Sequence, residues 1–369
     1  MAGVAIDFNT QTALDLWKIT TEEYPWKNRL EVLQERHGYP IVNNWFQERK
    51  ISFQSGTQII HDVMIDDAGT ARMILPNEPR SYVVGNVMAR ITIPWRQIND
   101  YYLTNRQEVM RNRAENKLID LLKMRRTSTA YSMANLLEDR AFKAPADSSD
   151  VLNAYGVRYW VTPITAAQVS AGQKGHIGAN PVYEDGNTIS GGAGGIDASV
   201  PKYKLWKNYA AQWTNGSSDI TDDDLDLIME MLLDIHFESP VTATEVYEGT
   251  YDNFRFYTGK ENLLAFERKA RSNNDNLGAD LGTFAARTRI KGNPIMRLDD
   301  LDAANDDTRP LFAVNHDCFM PFIQEGDFYR ETGPMNDVAQ PDTFVTNVDM
   351  SFNFLCTNRR KQGVISYVS

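Results

Sequence analysis

Apolar residues recur at three- and four-residue steps through one long stretch of the chain. Met110, Ala114, Leu118, Leu121, Leu122, Met133, Leu136 and Leu137 fall mostly on one helical face. The stretch 96–144 contains neither Pro nor Gly, with Pro94 and Pro145 just outside it. From Tyr102 to Phe142 it is rich in strong helix formers. Thr104 or Asn105 is placed to cap the start, and Glu108 favours the dipole in the first turn. A helix over 102–142 would reach about 60 Å, wider than a compact domain of ordinary size. The run from Arg125 to Thr129 weakens the stripe and predicts a kink or break. The pattern fits either two stacked core helices or a spine across an elongated subunit.

Elsewhere the period drops to two. Lys50–Phe53 opens a β region, followed by a strand at Thr57–Ile65, a turn over 66–70 with Gly69 at its positive-φ position, and a strand at Ala71–Leu75. Asn86–Pro94 returns as a further strand, with Val87, Ala89, Ile91 and Ile93 alternating against Met88, Arg90 and Thr92. An isolated hairpin is marginal in water, and the neighbouring sequence offers this one little cover. That points to cover from another subunit. The candidate inter-subunit contacts are Val63, Ile65, Asp66, Asp67, Arg72, Met73 and Leu75. Near the end, Leu311–Asn315 reads as a buried strand. Met350, Phe352, Phe354 and Cys356 alternate along another, 358–363 turns, and Val364–Val368 is expected to close a hairpin.

Between these regions the chain changes character. Residues 1–48 carry many aromatic anchors, with helices expected at Thr12–Ile19 and Asn28–Arg36. From Pro145 to about Asn215, loop signals dominate, with Gly191, Gly192, Gly194 and Gly195 clustered and Tyr and Trp interleaved. Thr221 caps a helix with Asp222–Asp224 in its first turn, and Leu225, Ile228, Met229, Leu232 and Ile235 are its expected buried face. A strand at Asn253–Tyr257 leads into a helix at Lys260–Ser272, capped by Thr258 with Glu261. Strands at Thr283–Ile290 and Pro294–Leu298 complete a mixed α/β unit.

The 369 residues suffice for a large core and about two domains. A net charge of −11 argues against general nucleic-acid binding. The start lacks the basic region of a signal peptide, and no apolar run approaches a membrane span. Cys318 and Cys356 give neither a disulfide framework nor a zinc spacing. They are expected as reduced thiols, Cys356 buried on its strand and Cys318 in a turn leading to a helix near Pro321. The Gly cluster lacks a phosphate-loop lysine and reads as a mobile loop. The acidic runs at 222–226 and 299–307 read as capping and solvated loop, not as cation sites. His37, His61, His176, His236 and His316 are scattered, and no nucleophile has a base beside it in sequence. Arg111, Arg113, Lys117, Lys123, Arg125 and Arg126 make the long helix basic, which suits a solvated face before a phosphate-binding one. No catalytic residue, metal ligand or cofactor is expected.

The order of these parts resembles the major capsid protein of tailed bacteriophages. Gly194-Gly195-Ile196 followed by Trp206-Lys207-Asn208, the strand and helix of 251–271, Arg309-Pro310-Leu311-Phe312, and 352–364 with Cys356, Asn358-Arg359-Arg360 and Gly363 are similar to that family's patterns. The resemblance implies an α+β fold with an N-terminal arm (1–48), an extended β-hairpin loop (49–95), a peripheral domain with the spine helix (96–149), an axial domain with the Gly-rich loop (150–310) and a return to the peripheral domain (311–369). It implies hexamers and pentamers in an icosahedral shell around double-stranded DNA, contacted non-specifically. The shell would assemble in the host cytoplasm with a portal, a separate scaffolding protein or none, and possible decoration proteins, and without a membrane. The short 1–48 segment leaves little room for a fused scaffold. No lysine lies between Ile51 and Asn116, so a loop lysine for subunit cross-linking is missing. The alternatives are another phage structural protein, of tail or decoration type, or an enzyme with an unrecognised site in 219–310.

Overall fold

The computed structural model describes residues 36, 38–46, 51–66, 69–75, 85, 87–111, 115–177, 180–214, 219–236, 253–272, 289–304, 306–336 and 342–368. The expected helix at 12–19, all but Arg36 of the one expected at 28–36, and the strand residues 283–288 lie outside them. The described chain divides into two compact units: one of 98–136 and 326–350, the other of 38–97, 137–325 and 351–368.

The first unit is built on the long helical stretch. Helix α1 (Pro40–Trp45) precedes it in the chain and belongs to the second unit. Strand β4 (Arg96–Asn105) follows β1 (Ser52–Gln54), β2 (Gln58–Met64) and β3 (Met88–Pro94), and it feeds helices α2 (Arg106–Arg111) and α3 (Glu115–Ala141). Asn105 is the cap: its Oδ1 accepts from the Gln107 N–H at 2.8 Å, while Glu108 Oε2 accepts from the Asn105 N–H at 3.4 Å. No break occurs there: α3 runs unbroken through Arg125–Thr129. Arg125, Arg126 and Thr127 each have a partner that leaves the helix intact. Arg125 donates twice to Glu108 at 2.9 Å and to the Leu103 carbonyl at 2.6 Å. Arg126 pairs with Glu331 at 2.6 Å, and the Thr127 hydroxyl donates back to the Lys123 carbonyl. Met133 is buried, whereas Met110 and Leu136 are exposed, so the apolar set does not form one buried face.

The second unit centres on a seven-stranded mixed sheet. Its strands are β5 (Gly175–Ile177), β6 (Asn208–Gln212), β7 (Phe254–Thr258), β8 (Arg289–Ile290), β9 (Asn293–Arg297), β10 (Leu311–Asn315) and β14 (Gly363–Ser366), in the order β5-β6-β14-β10-β7-β9-β8. The helices α4 (Val157–Trp160) and α5 (Ala166–Ser170) precede β5, and α6 (Asp222–Ile235) and α7 (Lys260–Ser272) follow β6 and β7. Strand β10 is buried along its whole length because both faces of the sheet are covered. Leu311 and Ala313 face Ile228, Met231, Ile235 and Phe266 of the two helices. On the other face Phe312 meets Phe142, and Trp45 packs among Phe142, Tyr257, His316, Phe319 and Phe354.

Three expectations fail here for the same reason: partners distant in sequence displace local ones. Strand β14 does not close a hairpin on the preceding strand. It pairs in parallel with β6 and antiparallel with β10. Cys318 leads into a strand, β11 (Phe319–Gln324), which pairs in parallel with β1 and antiparallel with Phe352–Cys356 of β13 (Thr343–Cys356). The first part of β13 pairs with β12 (Arg330–Asn336) in the first unit. Helix α7 is not capped by Thr258 and Glu261. The Lys260 N–H donates to Asp302 at 2.6 Å, Thr258 donates to the Pro310 carbonyl, and Glu261 accepts from the Ala303 N–H. The buried face of α6 is Leu227, Ile228, Met231, Leu232 and Ile235, with Leu225 and Met229 only half covered. Its cap is as expected: Thr221 accepts from the Asp224 N–H, and buried Asp224 accepts from Thr221 and from the Thr214 N–H.

The Gly cluster is not a mobile loop but part of the packed interior. Gly192, Ala193, Gly194 and Ile196 are buried. Gly192 has φ of +76°, and a Cβ there would stand 2.1 Å from the Ile196 carbonyl oxygen. Gly194 lies against Ile91 and Trp160. The loop is tied down by Tyr159, whose hydroxyl accepts from the Gly194 N–H, and by Trp206, whose indole donates to the Ala193 carbonyl. Behind it, fully buried Arg359 donates to the Trp160 and Trp206 carbonyls, the Thr162 hydroxyl and the Asn208 amide oxygen. Burial pushes that guanidinium down to about 10. Cys318 and Cys356 are buried and not joined in a disulfide, and burial pushes the Cys356 thiol up.

Candidate assembly surface

The β-hairpin that sequence reasoning singled out is wider than expected. β2 pairs with β3, from Gln58 opposite Pro94 to Met64 opposite Met88, and the Ile65 N–H continues the ladder to the Val87 carbonyl at 3.0 Å. Ala71–Leu75 is therefore not the return strand. It lies in an excursion between Ile65 and Val87, where Gly69 does adopt a positive φ of +58°. A strand pairs where its whole alternating face finds cover, and Ile91 and Ile93 provide that where 71–75 does not.

The inner face of the hairpin is covered by its own chain. Ile59, Ile91 and Ile93 are buried, and the Thr92 N–H donates to the Gly194 carbonyl at 3.3 Å. The cover that seemed missing comes from about a hundred residues later in the chain. Of the predicted contacts, Val63 and Ile65 belong to this inner face and are buried. Asp66 is half-buried, 4.0 Å from Lys204. Asp67 lies outside the described residues. Arg72, Met73 and Leu75 are exposed, with Met73 at 101 % and Leu75 at 75 %.

The outer face is apolar at its ends and charged at its centre. Met64 and Met88 stand opposite each other, both more than half exposed, and Ile60 is exposed below them. Between them Arg90 makes a two-pronged pair with Asp62 at 2.7 and 3.2 Å. That hydrogen bond holds the Asp62 carboxyl below its usual range and the Arg90 guanidinium above it. His61, half-buried, is pushed down by burial. Such a surface has no nucleophile or ligand set, and among the described residues no group of His, Cys, Asp or Glu is arranged to hold a metal. What it offers is exposed apolar area around a fixed charge pair. Sequence reasoning missed Ile60, Met64, Met88 and Ile74, although the period-two alternation of 58–64 and 88–94 placed the first three on one face.

Three buried or half-buried carboxylates of 219–310 are occupied by structure. Asp224 caps α6, Asp302 caps α7 and pairs with Arg297 at 2.6 Å, and buried Asp306 pairs with Arg158 and accepts from Thr308.

These features define an α+β protein with a long helix, a β-hairpin covered on its inner face and a mixed sheet covered on both faces. At the level of sequence, no family model and no curated protein matches the chain. Solved structures match it in fold. The capsid of a native GTA particle is 13 % identical with a TM-score of 0.56, the match covering 94 % of this chain and 95 % of that one. The capsid of cyanophage A-1(L) is 13 % identical at 0.56, covering 94 % and 98 %. The capsid of Myoviridae phage XM1 is 9 % identical at 0.52, covering 92 % and 95 %. The chain has the tailed-phage major capsid fold.

Proposed function

We propose that this chain is the shell subunit of a tailed-phage-type capsid, assembling into hexamers and pentamers around double-stranded DNA. The observation that carries this is the agreement of fold with capsid subunits over more than nine tenths of the chain. In this reading 1–48 is the arm, 49–95 the extended loop, 96–149 and 311–369 the peripheral domain, and 150–310 the axial domain. The role is structural and not catalytic. Its partners in this reading are a portal and a separate scaffolding protein or none, with or without decoration proteins. The subunit assembles in the host cytoplasm and resides in the virion, where its acidic surface keeps contacts with the packaged DNA weak and non-specific.

Electron microscopy and sedimentation of the purified chain test the reading: capsomers or shells are expected, and a small closed oligomer would refute it. The hairpin gives a sharper test. Replacing 66–86 by Asn-Gly joins Ile65 to Val87 through a two-residue turn matched to the ladder. That variant should keep its circular dichroism and melting temperature and form no shells. Normal shells from it would exclude the hairpin excursion from assembly.

A further inference from the structure

One buried polar junction in the second unit joins three segments far apart in the sequence. The Tyr257 hydroxyl lies 2.7 Å from the Trp45 indole nitrogen and 2.7 Å from His316 Nε2. Trp45 ends α1, Tyr257 is on β7, and His316 directly follows β10. Trp45 and Tyr257 are fully buried and His316 nearly so, with Phe142, Phe319 and Phe354 packed about the indole.

The proton on the phenol fixes the direction of each bond. An indole N–H can only donate, so the Tyr257 oxygen accepts from Trp45. The Arg255 guanidinium beside the hydroxyl is a donor too. Burial pushes the Tyr257 hydroxyl far up, so it keeps its own proton. Among its hydrogen-bond partners, His316 Nε2 is the one able to accept that proton. The imidazole is therefore neutral, with its hydrogen on Nδ1. A proton added at Nε2 reverses the bond. The phenol would then accept from both sides, and its own O–H would be left without an acceptor in a buried site. Charged groups about the junction act in both directions. Arg255 opposes a further positive charge at the hydroxyl, and Glu138 of α3 favours one. Glu138 also holds the other end of α1, where its Oε1 accepts from the Ile41 and Val42 N–H groups. Asp317 and Cys318 follow His316 in the chain, and α1, β11 and β13 contribute Trp45, Phe319 and Phe354.

We propose that Trp45, Tyr257 and His316 form an acid-sensitive latch on α1: neutral His316 orients the hydroxyl that holds Trp45, and protonation of His316 lets α1 open from the sheet. An ordinary imidazole titrates at about 6.5. A latch that needs the neutral ring is engaged above that range and weakens as pH falls through and below it. The latch is a property of the single chain and goes beyond the shell reading, so it can be tested whether or not particles form.

Hydrogen exchange on the purified full chain, expressed as protection relative to the intrinsic chemical rate at each pH, tests it. Protection of the 41–46 amides should fall at least about tenfold between about pH 7.5 and about pH 5, with β6 and β14 unchanged. His316→Gln keeps an acceptor near the ε position and takes up no proton. It should hold 41–46 protected across the range. Tyr257→Phe removes the shared oxygen and should leave 41–46 less protected than in the parent at about pH 7.5, with little further loss on acidification. Glu138→Gln should lower protection at every pH while the acid-dependent fall remains. A parent whose 41–46 protection does not change with pH overturns the latch. So does a fall that persists in His316→Gln, which would place the sensor elsewhere, or Tyr257→Phe protected as well as the parent. The nitrogen resonances of isotope-labelled histidine in the parent give an answer without any variant: a neutral His316 ring with its hydrogen on Nε2 overturns the proposal.

Discussion

Arg359 shows how much a single residue decides in this fold. Its guanidinium answers two carbonyls, a hydroxyl and an amide oxygen from two separate segments, 160–162 and 206–208, and no carboxylate is among these hydrogen-bond partners. Only a planar group with several fixed donors can meet such a spread. Arg359→Lys keeps the charge but leaves acceptors unmet. It should destabilise the protein by about 2–3 kcal/mol, read from denaturant midpoints at unchanged slope. Asp150 controls a loop through its protonation. Desolvation raises its carboxyl, but hydrogen bonds from Ala146, Asn153 and Leu152 outweigh this and hold it at about 2, against an ordinary 3.8. The carboxylate therefore favours the folded loop fully above pH about 4, and that contribution fades as pH falls through about 2. Melting temperatures between pH 2 and 6 should show an advantage of the parent over Asp150→Asn at pH 6 that shrinks toward pH 2. A constant difference would mean the carboxylate's charge is not what matters.

Among elements, α1 is the least able to stand alone. Its six residues make no independently stable helix. It is held at both ends by distant parts of its unit. Buried Glu138 accepts from the Ile41 and Val42 N–H groups at 2.8 and 2.9 Å, and the Trp45 indole donates to the Tyr257 hydroxyl at 2.7 Å. Trp45→Ala removes the plug between Phe142, Tyr257 and Phe354 and should cost about 3–5 kcal/mol. Hydrogen exchange should then show 40–46 opening before the sheet does. Helix α3 illustrates the opposite case. Its sequence pattern was strong enough to specify it, and the polar run that seemed to break it instead supplies Arg125 and Arg126 to partners on other segments.

At the scale of the whole molecule, the shell reading has a covalent consequence. The extended loop carries no lysine from Ile51 to Asn116, so it lacks the nucleophile for an inter-subunit isopeptide bond. Boiled, reduced particles should run as a 41.9 kDa monomer. A ladder that survives reduction would show a covalent lattice made by other residues.

The sequence by itself determined what depends on near neighbours. Caps such as Thr221 and Asn105, the helical stretch ending at Ala141, and the alternation of 88–94 were legible because hydrogen bonds and side-chain faces repeat within a few residues. The order of these parts also carried the resemblance to a capsid subunit. Tertiary structure alone decided which strands pair. β14 finds β6, β1 finds β11 and β7 finds β9, all in parallel, across gaps that no local pattern encodes. It also decided which apolar residues meet water. Val63 and Ile65 have the same hydrophobic character as Met73 and Leu75, yet the first two are buried and the last two exposed. On the hairpin's inner face Gly194 lies against Ile91, a neighbour the fold supplies from about a hundred residues away.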